Sequence, residues 1–272
     1  MTDPPATSLP PELALRFEGW VAAAARREPL SFREVRSGVR SLSARYVEGR
    51  GADGVASPAL AGAGLRAAFA SFYAPLHFLT AFAIVTALPA PFRADVDEVI
   101  DLGAGTGAVG AALALATGAG RVLALDRSAW ALGEARRCFA TFGIAGRTRR
   151  VELPSGVPRL GPRQLVAAGY VLNECLPALR ARVLRLLARA LEAGSRVLVL
   201  EPLARGAAPW WDEAVARLAP AGAAAQLVKC QIERPDWIAR LDHAAGLDHR
   251  EIGARVLWGP VRDPGDAESA RA

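Results

Sequence analysis

The sequence predicts an α/β fold, a mostly parallel sheet preceded by a helical N-terminal region, and three observations predict it. After Pro91, short β-branched or Leu-rich runs alternate with amphipathic segments, as in repeated βα units. A glycine-rich turn separates the first of these runs from the first helix. From Glu12 to about Leu88 the apolar residues recur instead at helical spacing.

Residues 1–11 read as a disordered tail, because Pro4, Pro5, Pro10 and Pro11 withhold backbone donors and disfavour helical conformations. Residues 12–90 form the helical region. There Leu13, Phe17, Trp20 and Val21, then Val35, Val39, Leu42 and Tyr46, fall on helix faces. Gly51, Gly54 and Pro58 mark a loop, and Ser71 is expected to cap a helix that carries Tyr73, His77, Phe78, Phe82 and Ile84. Residues 91–262 form the α/β domain. Its strands are expected at 98–102, 121–125, 149–153, 165–172, 196–200, 225–232 and 250–258, with helices at 107–117, 129–142, 178–193, 209–218 and 237–245. The last strand is expected at or near a sheet edge, and residues 263–272 read as a second tail.

A chain of 272 residues with 52% apolar and 22% charged residues can bury a sizeable core and lies far from the composition of disorder. Its net charge of +6 favours an acidic partner. Lys229 is the only lysine, however, and Arg, Ala, Gly and Pro are enriched along the whole chain, so the charge reads first as a compositional habit. Cys138, Cys175 and Cys230 are far apart and lack C-x-x-C spacing, which argues against a disulfide framework or a metal site and fits a cytoplasmic setting. Residues 1–11 lack the basic and apolar regions of a secretory signal. The apolar stretch from Phe72 to Phe92 is interrupted by Pro75, Pro89 and Pro91. It is therefore expected to be too short to cross about 30 Å of hydrocarbon and to form a buried helix, with no membrane partner.

The run from Val99 to Gly110 places a buried strand, the turn Gly103-Ala104-Gly105-Thr106-Gly107 and a helix start in succession. Glycines let the backbone turn sharply and approach a ligand, and the helix N-terminus offers free N–H groups. Asp126 ends the next strand about 20 residues later, the interval at which an acid reads ribose hydroxyls. The loop can be read in two frames, because Gly105-Thr106-Gly107-Ala108-Val109-Gly110 is also a G-x-G-x-x-G dinucleotide fingerprint. Asp101 separates the two: a carboxylate beside the loop repels a pyrophosphate and attracts a cationic, amino-bearing ligand.

The segment from Asp101 to Gly107 resembles the first motif, D/E-x-G-x-G-x-G, of class I methyltransferases, and Asp126 resembles their second-strand acid. The resemblance implies a Rossmann-like class I methyltransferase sheet and S-adenosylmethionine as cofactor. Asp101, Gly103, Ala104, Gly105 and Gly107 would hold the methionine end, and Asp126 with Arg127 the ribose side. Trp130 is a candidate cover for the adenine and Glu152 a candidate partner for its amino group, although Trp130 equally suits a helix core. Asn173 and Glu174 follow the fourth main strand at its carboxyl end, where ligands of open α/β sheets bind, and are the candidate catalytic pair. A capping role for them in the next helix is the competing reading. Tyr73 and His77 are expected within reach from the helical region. Metal and iron–sulfur ligands are not expected.

A narrower similarity is to methyltransferase-like factors of the mitochondrial small ribosomal subunit and their bacterial relatives. It rests on 38–46, the glycine motif, 170–174 and 197–202. It makes RNA or the small ribosomal subunit a candidate partner and leaves the methyl acceptor unknown. Three functions follow: an S-adenosylmethionine-dependent methyltransferase, a noncatalytic RNA-binding or ribosome assembly factor that keeps the fold, and an NAD-dependent oxidoreductase.

Overall fold

The computed structural model describes residues 6–47, 62–203, 206 and 208–260. The loop expected around Gly51, Gly54 and Pro58 and the tail at 263–272 lie outside the described residues, as do residues 1–5. Among the described residues eight strands are formed: β1 (Ala6–Thr7), β2 (Glu98–Leu102), β3 (Arg121–Asp126), β4 (Ala145–Arg150), β5 (Gln164–Gly169), β6 (Arg196–Pro202), β7 (Ala224–Ile232) and β8 (Glu251–Gly259). They form one sheet in the order β1-β7-β8-β6-β5-β2-β3-β4. The pairs among β2 to β6 are parallel, and β8 is antiparallel to both of its neighbours.

β2 is buried along its whole length because the βα crossovers cover both faces of a parallel sheet. Alternate side chains divide the core in two. Val99, Leu165, Ala167, Leu198 and Leu200 enter one cluster, and Ile100, Val166, Ala168, Val197 and Val199 the other. The second cluster lies under α8 (Pro177–Glu192) and α9 (Trp211–Leu218). The first lies under α6 (Ala108–Thr117), α7 (Ala129–Phe142) and α10 (Asp236–Ala245), and it continues into the N-terminal helices.

Those helices are α1 (Pro11–Arg27), α2 (Phe32–Val47), α3 (Ala63–Ala68) and α4 (Ala74–Ala87), with the short α5 (Ala90–Arg93) leading into the sheet. Phe17 and Trp20 of α1, Phe78 of α4 and Phe142 of α7 form an aromatic cluster, with Phe17–Phe78 and Phe78–Phe142 centroids 5.1 and 4.9 Å apart. Glu134 of α7 is 5% exposed and pairs with Arg27 of α1 and Arg137. A carboxylate removed from water at this depth needs such partners. The helical layer thus shares a core and an ion pair with the α/β unit.

Four expectations change. Residues 6–11 do not form a loose tail: Ala6–Thr7 pair in parallel with Gln231–Ile232, and Pro11 starts α1, where a missing N–H costs nothing. Ser71 caps no helix; it lies inside one, its hydroxyl donating to the Ala67 carbonyl at 2.7 Å. Pro75 does not interrupt the apolar stretch either. The turn Phe69–Tyr73 widens to a π-helix, Ala74 N–H bonds to Phe69, and a helix runs from Ala63 to Ala87. These 25 residues are long and apolar enough to span a membrane, but 89% of the most apolar window is buried inside the protein, as expected of a core helix. Finally, β8 lies between β7 and β6, and the edges are β1 and β4.

β4 spans Ala145–Arg150 where a strand at 149–153 was expected. Gly146 lets it pass over Phe139, since a Cβ there would lie 2.1 Å from Phe139 Cδ2. Gly146→Ala is therefore expected to lower stability by about 1–3 kcal/mol. Gly19→Ala, in the exposed middle of α1 with nothing within 4 Å of its added methyl, is expected to raise it by about 0.5–1 kcal/mol. Urea unfolding of both variants beside the parent checks the pair, and an unmoved midpoint for the first contradicts the packing.

Candidate functional site

The sheet order reverses between β2 and β5, whose neighbours lead off in opposite directions, so a crevice opens at their carboxyl ends. A cavity of about 680 Å³ occupies this position. Its floor is the glycine turn after β2. Gly103, Gly105 and Gly107 have φ of +67°, +53° and +77°, the left-handed region in which other residues are strained. A Cβ on Gly103 would lie 2.2 Å from Val171 Cγ2, whereas one on Gly105 would meet nothing within 4 Å. Gly103 is therefore required by packing. Gly105 turns its open side to the cavity.

Two aspartates brace this turn. Asp101, 1% exposed, accepts a 2.9 Å hydrogen bond at Oδ2 from Gly110 N–H in the first turn of α6. Burial, opposed by that hydrogen bond and aided by the charge of Asp126, pushes the Asp101 carboxyl up to about 7. Asp126 accepts at Oδ2 from Gly105 N–H, 2.8 Å, and at Oδ1 from Ser128 N–H, 2.7 Å. It thereby ties the glycine turn to the start of α7, and each oxygen keeps a second lone pair for a ligand. Ser128 itself caps α7 by accepting from Ala131 N–H at 3.2 Å. Thr106 is 3% exposed and lines the cavity, and its Oγ1 has no hydrogen-bond partner among the described residues.

Of the residues expected at the site, Asp101, Gly103, Ala104, Gly105, Asp126, Arg127, Glu152 and Glu174 line the cavity, as does His77. Gly107, Trp130, Asn173 and Tyr73 do not. Gly107 packs behind the turn, where a Cβ would lie 2.9 Å from Ala135 and from Phe139. Trp130 lies under the Arg66 guanidinium, 5.5 Å from the ring centroid, rather than over the cavity. Asn173 sits in the 3₁₀ turn Leu172–Glu174, whose shape is set by Glu201: its fully buried carboxylate accepts from Leu172 and Asn173 N–H at 2.9 and 3.3 Å. Neither Asn173 nor Glu174 caps α8, which has Leu176 at its N-cap and no side-chain cap hydrogen bond.

Sequence reasoning missed the second wall. Arg66 and Phe69 from the helical layer, and Tyr170, Val171, Cys175 and Leu179 around the end of β5, also line the cavity. Tyr170 stacks on His77, centroids 4.1 Å apart and planes at 17°, and Phe69 meets His77 edge-on. Burial lowers the His77 imidazole to about 3, helped by the charge of His249, so the ring stays neutral. Burial likewise raises the Tyr170 phenol. The arrangement pairs an acid-braced glycine turn with a wall whose Phe69, His77 and Tyr170 rings are uncharged and which Arg66 flanks.

Residues 81–159 match the family model described as Methyltransferase small domain. That stretch runs from the middle of α4 through the glycine turn and both aspartates to the loop beyond β4. Among solved structures the chain is similar to precorrin-6y C5,15-methyltransferase from Geobacter metallireducens GS-15, at 17% identity over 65% of this chain and 85% of that one, TM-score 0.43. It is also similar to mitomycin 7-O-methyltransferase MmcR, at 16% identity over 89% and 67%, TM-score 0.47. No curated protein matches the sequence.

The raised carboxyl has a consequence for stability. The native state holds a proton on Asp101 up to about pH 7, the unfolded chain only to about pH 4. The native state therefore binds more protons across this window, and this group's contribution to stability falls as pH rises through it and is flat above. Asp101→Asn, whose amide oxygen still accepts from Gly110, is expected to remove that slope. Urea unfolding at several pH values between 4.5 and 8 checks it, and equal slopes in parent and variant contradict the burial of a titrating group.

Proposed function

We propose that this chain, whose residues 81–159 match the family model described as Methyltransferase small domain, is an S-adenosylmethionine-dependent methyltransferase. The observation that carries the reading is the pair of aspartates on one glycine turn. Asp101 lies buried beneath the turn and Asp126 is bonded to its Gly105 N–H. Two carboxylates suit a ligand with a positive charge and ribose hydroxyls, and they repel a pyrophosphate. The residues also fit the cofactor in shape and polarity: Gly105 leaves open space where a side chain would stand, and the Thr106 hydroxyl is a buried polar group awaiting a partner.

When bound, S-adenosylmethionine supplies a methyl group already activated on a sulfonium centre. Asp101, its buried carboxyl pushed up to about 7, is drawn toward its ionised form by the donor's positive end, while Asp126 offers its remaining lone pairs to the ribose and exposed Glu152 an acceptor for an exocyclic amine. Gly103 seats Val171 against the turn, so the end of β5 adjoins the donor floor. The aromatic wall excludes water and Glu174 can take a proton from the acceptor. Alignment then accounts for much of the acceleration.

A second reading, a noncatalytic RNA or ribosome assembly factor, draws on the exposed edge strand β4. Arg147, Arg149 and Arg150 lie there beside Arg136, and Arg147 is 68% exposed although paired with Glu98. Salt-sensitive RNA binding that survives Asp101→Ala, with no label passed from the donor to any RNA, protein or small-molecule fraction, would favour it.

Titration calorimetry tests the main reading. S-adenosylhomocysteine is expected to bind one site per chain, and Asp126→Ala to weaken it by roughly 10- to 100-fold through the loss of one or two charge-assisted hydrogen bonds. Tight binding of NAD with no heat from S-adenosylhomocysteine would contradict it.

A further inference from the structure

Tyr170 is one of two described residues other than glycine with positive φ, at +59°, and its N–H is held by the Leu200 carbonyl at 2.7 Å. A left-handed conformation costs a tyrosine about 1–2 kcal/mol that glycine or asparagine would largely avoid. Such strain is kept where the side chain it aims does something. Here it lays the Tyr170 ring flat against His77, on the cavity wall. The next residue, Val171, is the one pressed against Gly103, so this stacked pair directly adjoins the glycine turn.

Resting on the S-adenosylmethionine reading, we propose that the methyl acceptor is a small planar aromatic molecule, uncharged or cationic, bearing a hydroxyl or amine and seated against the Tyr170–His77 stack. Flat apolar ligands gain from offset stacking on such rings. The lining charges argue against a polyanion: among the described residues Asp126, Glu152 and Glu174, with the partly ionised Asp101, face two arginines, Arg66 and Arg127. His77 adds no positive charge, because burial keeps its imidazole neutral. The cavity of about 680 Å³ falls within the range of roughly 300–1,000 Å³ that encloses small ligands, and a donor on its floor leaves space for a compact partner. In the transfer, a lone pair on the acceptor oxygen or nitrogen forms the bond to the methyl carbon. The carbon–sulfur bond breaks with its pair left on sulfur, and the acceptor's proton passes to the Glu174 carboxylate.

The test uses the purified full chain, a panel of fluorescent naphthols, aminonaphthalenes and hydroxyquinolines, and a single-stranded RNA oligonucleotide, each titrated with S-adenosylhomocysteine present. At least one panel member is expected to saturate a single site. Tyr170→Gly, which relieves the backbone strain and removes the ring, is expected to weaken it roughly tenfold, about 1.4 kcal/mol, and Tyr170→Phe to leave it within about twofold. Both variants should keep the parent's affinity for S-adenosylhomocysteine. If Tyr170→Gly does not fold, Phe69→Ala on the same wall is expected to weaken the probe as well. Normal S-adenosylhomocysteine binding with no panel member bound, with probe affinity indifferent to Tyr170→Gly, or with RNA competing for the cavity would overturn this inference alone. Failure to bind S-adenosylhomocysteine would overturn the reading beneath it and this inference together.

Discussion

The hydrogen bond from Gly105 N–H to Asp126 joins two βα units at the point where the sheet reverses direction. It acts beside two backbone bonds, from Gly103 and Ala104 N–H to the Leu125 carbonyl, that also tie the turn to the end of β3. With it, and with Asp101 fastened to the first turn of α6, the turn is held from both sides and its backbone conformation is fixed before any ligand arrives. Preorganisation of this kind lowers the entropic cost of binding. It also sets the charge of the site, because both braces are carboxylates and one is out of water. On the proposed reading, the side chains that brace the turn also recognise the ligand.

The N-terminal helices supply the second constraint. A parallel sheet with one bare face would expose Val99, Val122 and the apolar side of α6, and α4 covers that helix. α4 must also bring His77 over the carboxyl end of β5. Pro75 is accommodated by the π-turn ahead of it, so the helix continues through the site instead of ending there. The aromatic part of the cavity wall is therefore a consequence of how the core is closed, and its rings are uncharged because they grow out of that core.

Most of the α/β framework was legible, because buried parallel strands are short apolar runs and Gly143, Gly194 and Gly246 stop or follow their helices in the sequence. The misplaced pieces have identifiable causes. β4 is an edge strand rich in arginine, paired on one side only, and needs no apolar run. The interior position of β8 follows from β7 crossing to the far side of it, which no local pattern encodes, although its Val256, Leu257 and Trp258 are buried as an interior strand requires. In the site, the glycine turn and its two aspartates could be read because spacing along the chain fixes them. The aromatic wall could not: Phe69 and Tyr170 meet through His77 although they stand 101 positions apart in the sequence, and a tyrosine in the left-handed region has no sequence signature. That Trp130 stands outside the cavity lining, against Arg66 of a distant helix, was not legible for the same reason.

The central claim is that S-adenosylmethionine occupies the turn braced by Asp101 and Asp126. Amide resonances of isotopically labelled protein during titration with S-adenosylhomocysteine report on that turn directly. The account predicts that Gly105, Thr106 and Ser128 shift together with saturation at one ligand per chain, while Gly19 on the remote face of α1 stays still. Saturable shifts confined to other regions, with Gly105 and Ser128 unmoved, would contradict it.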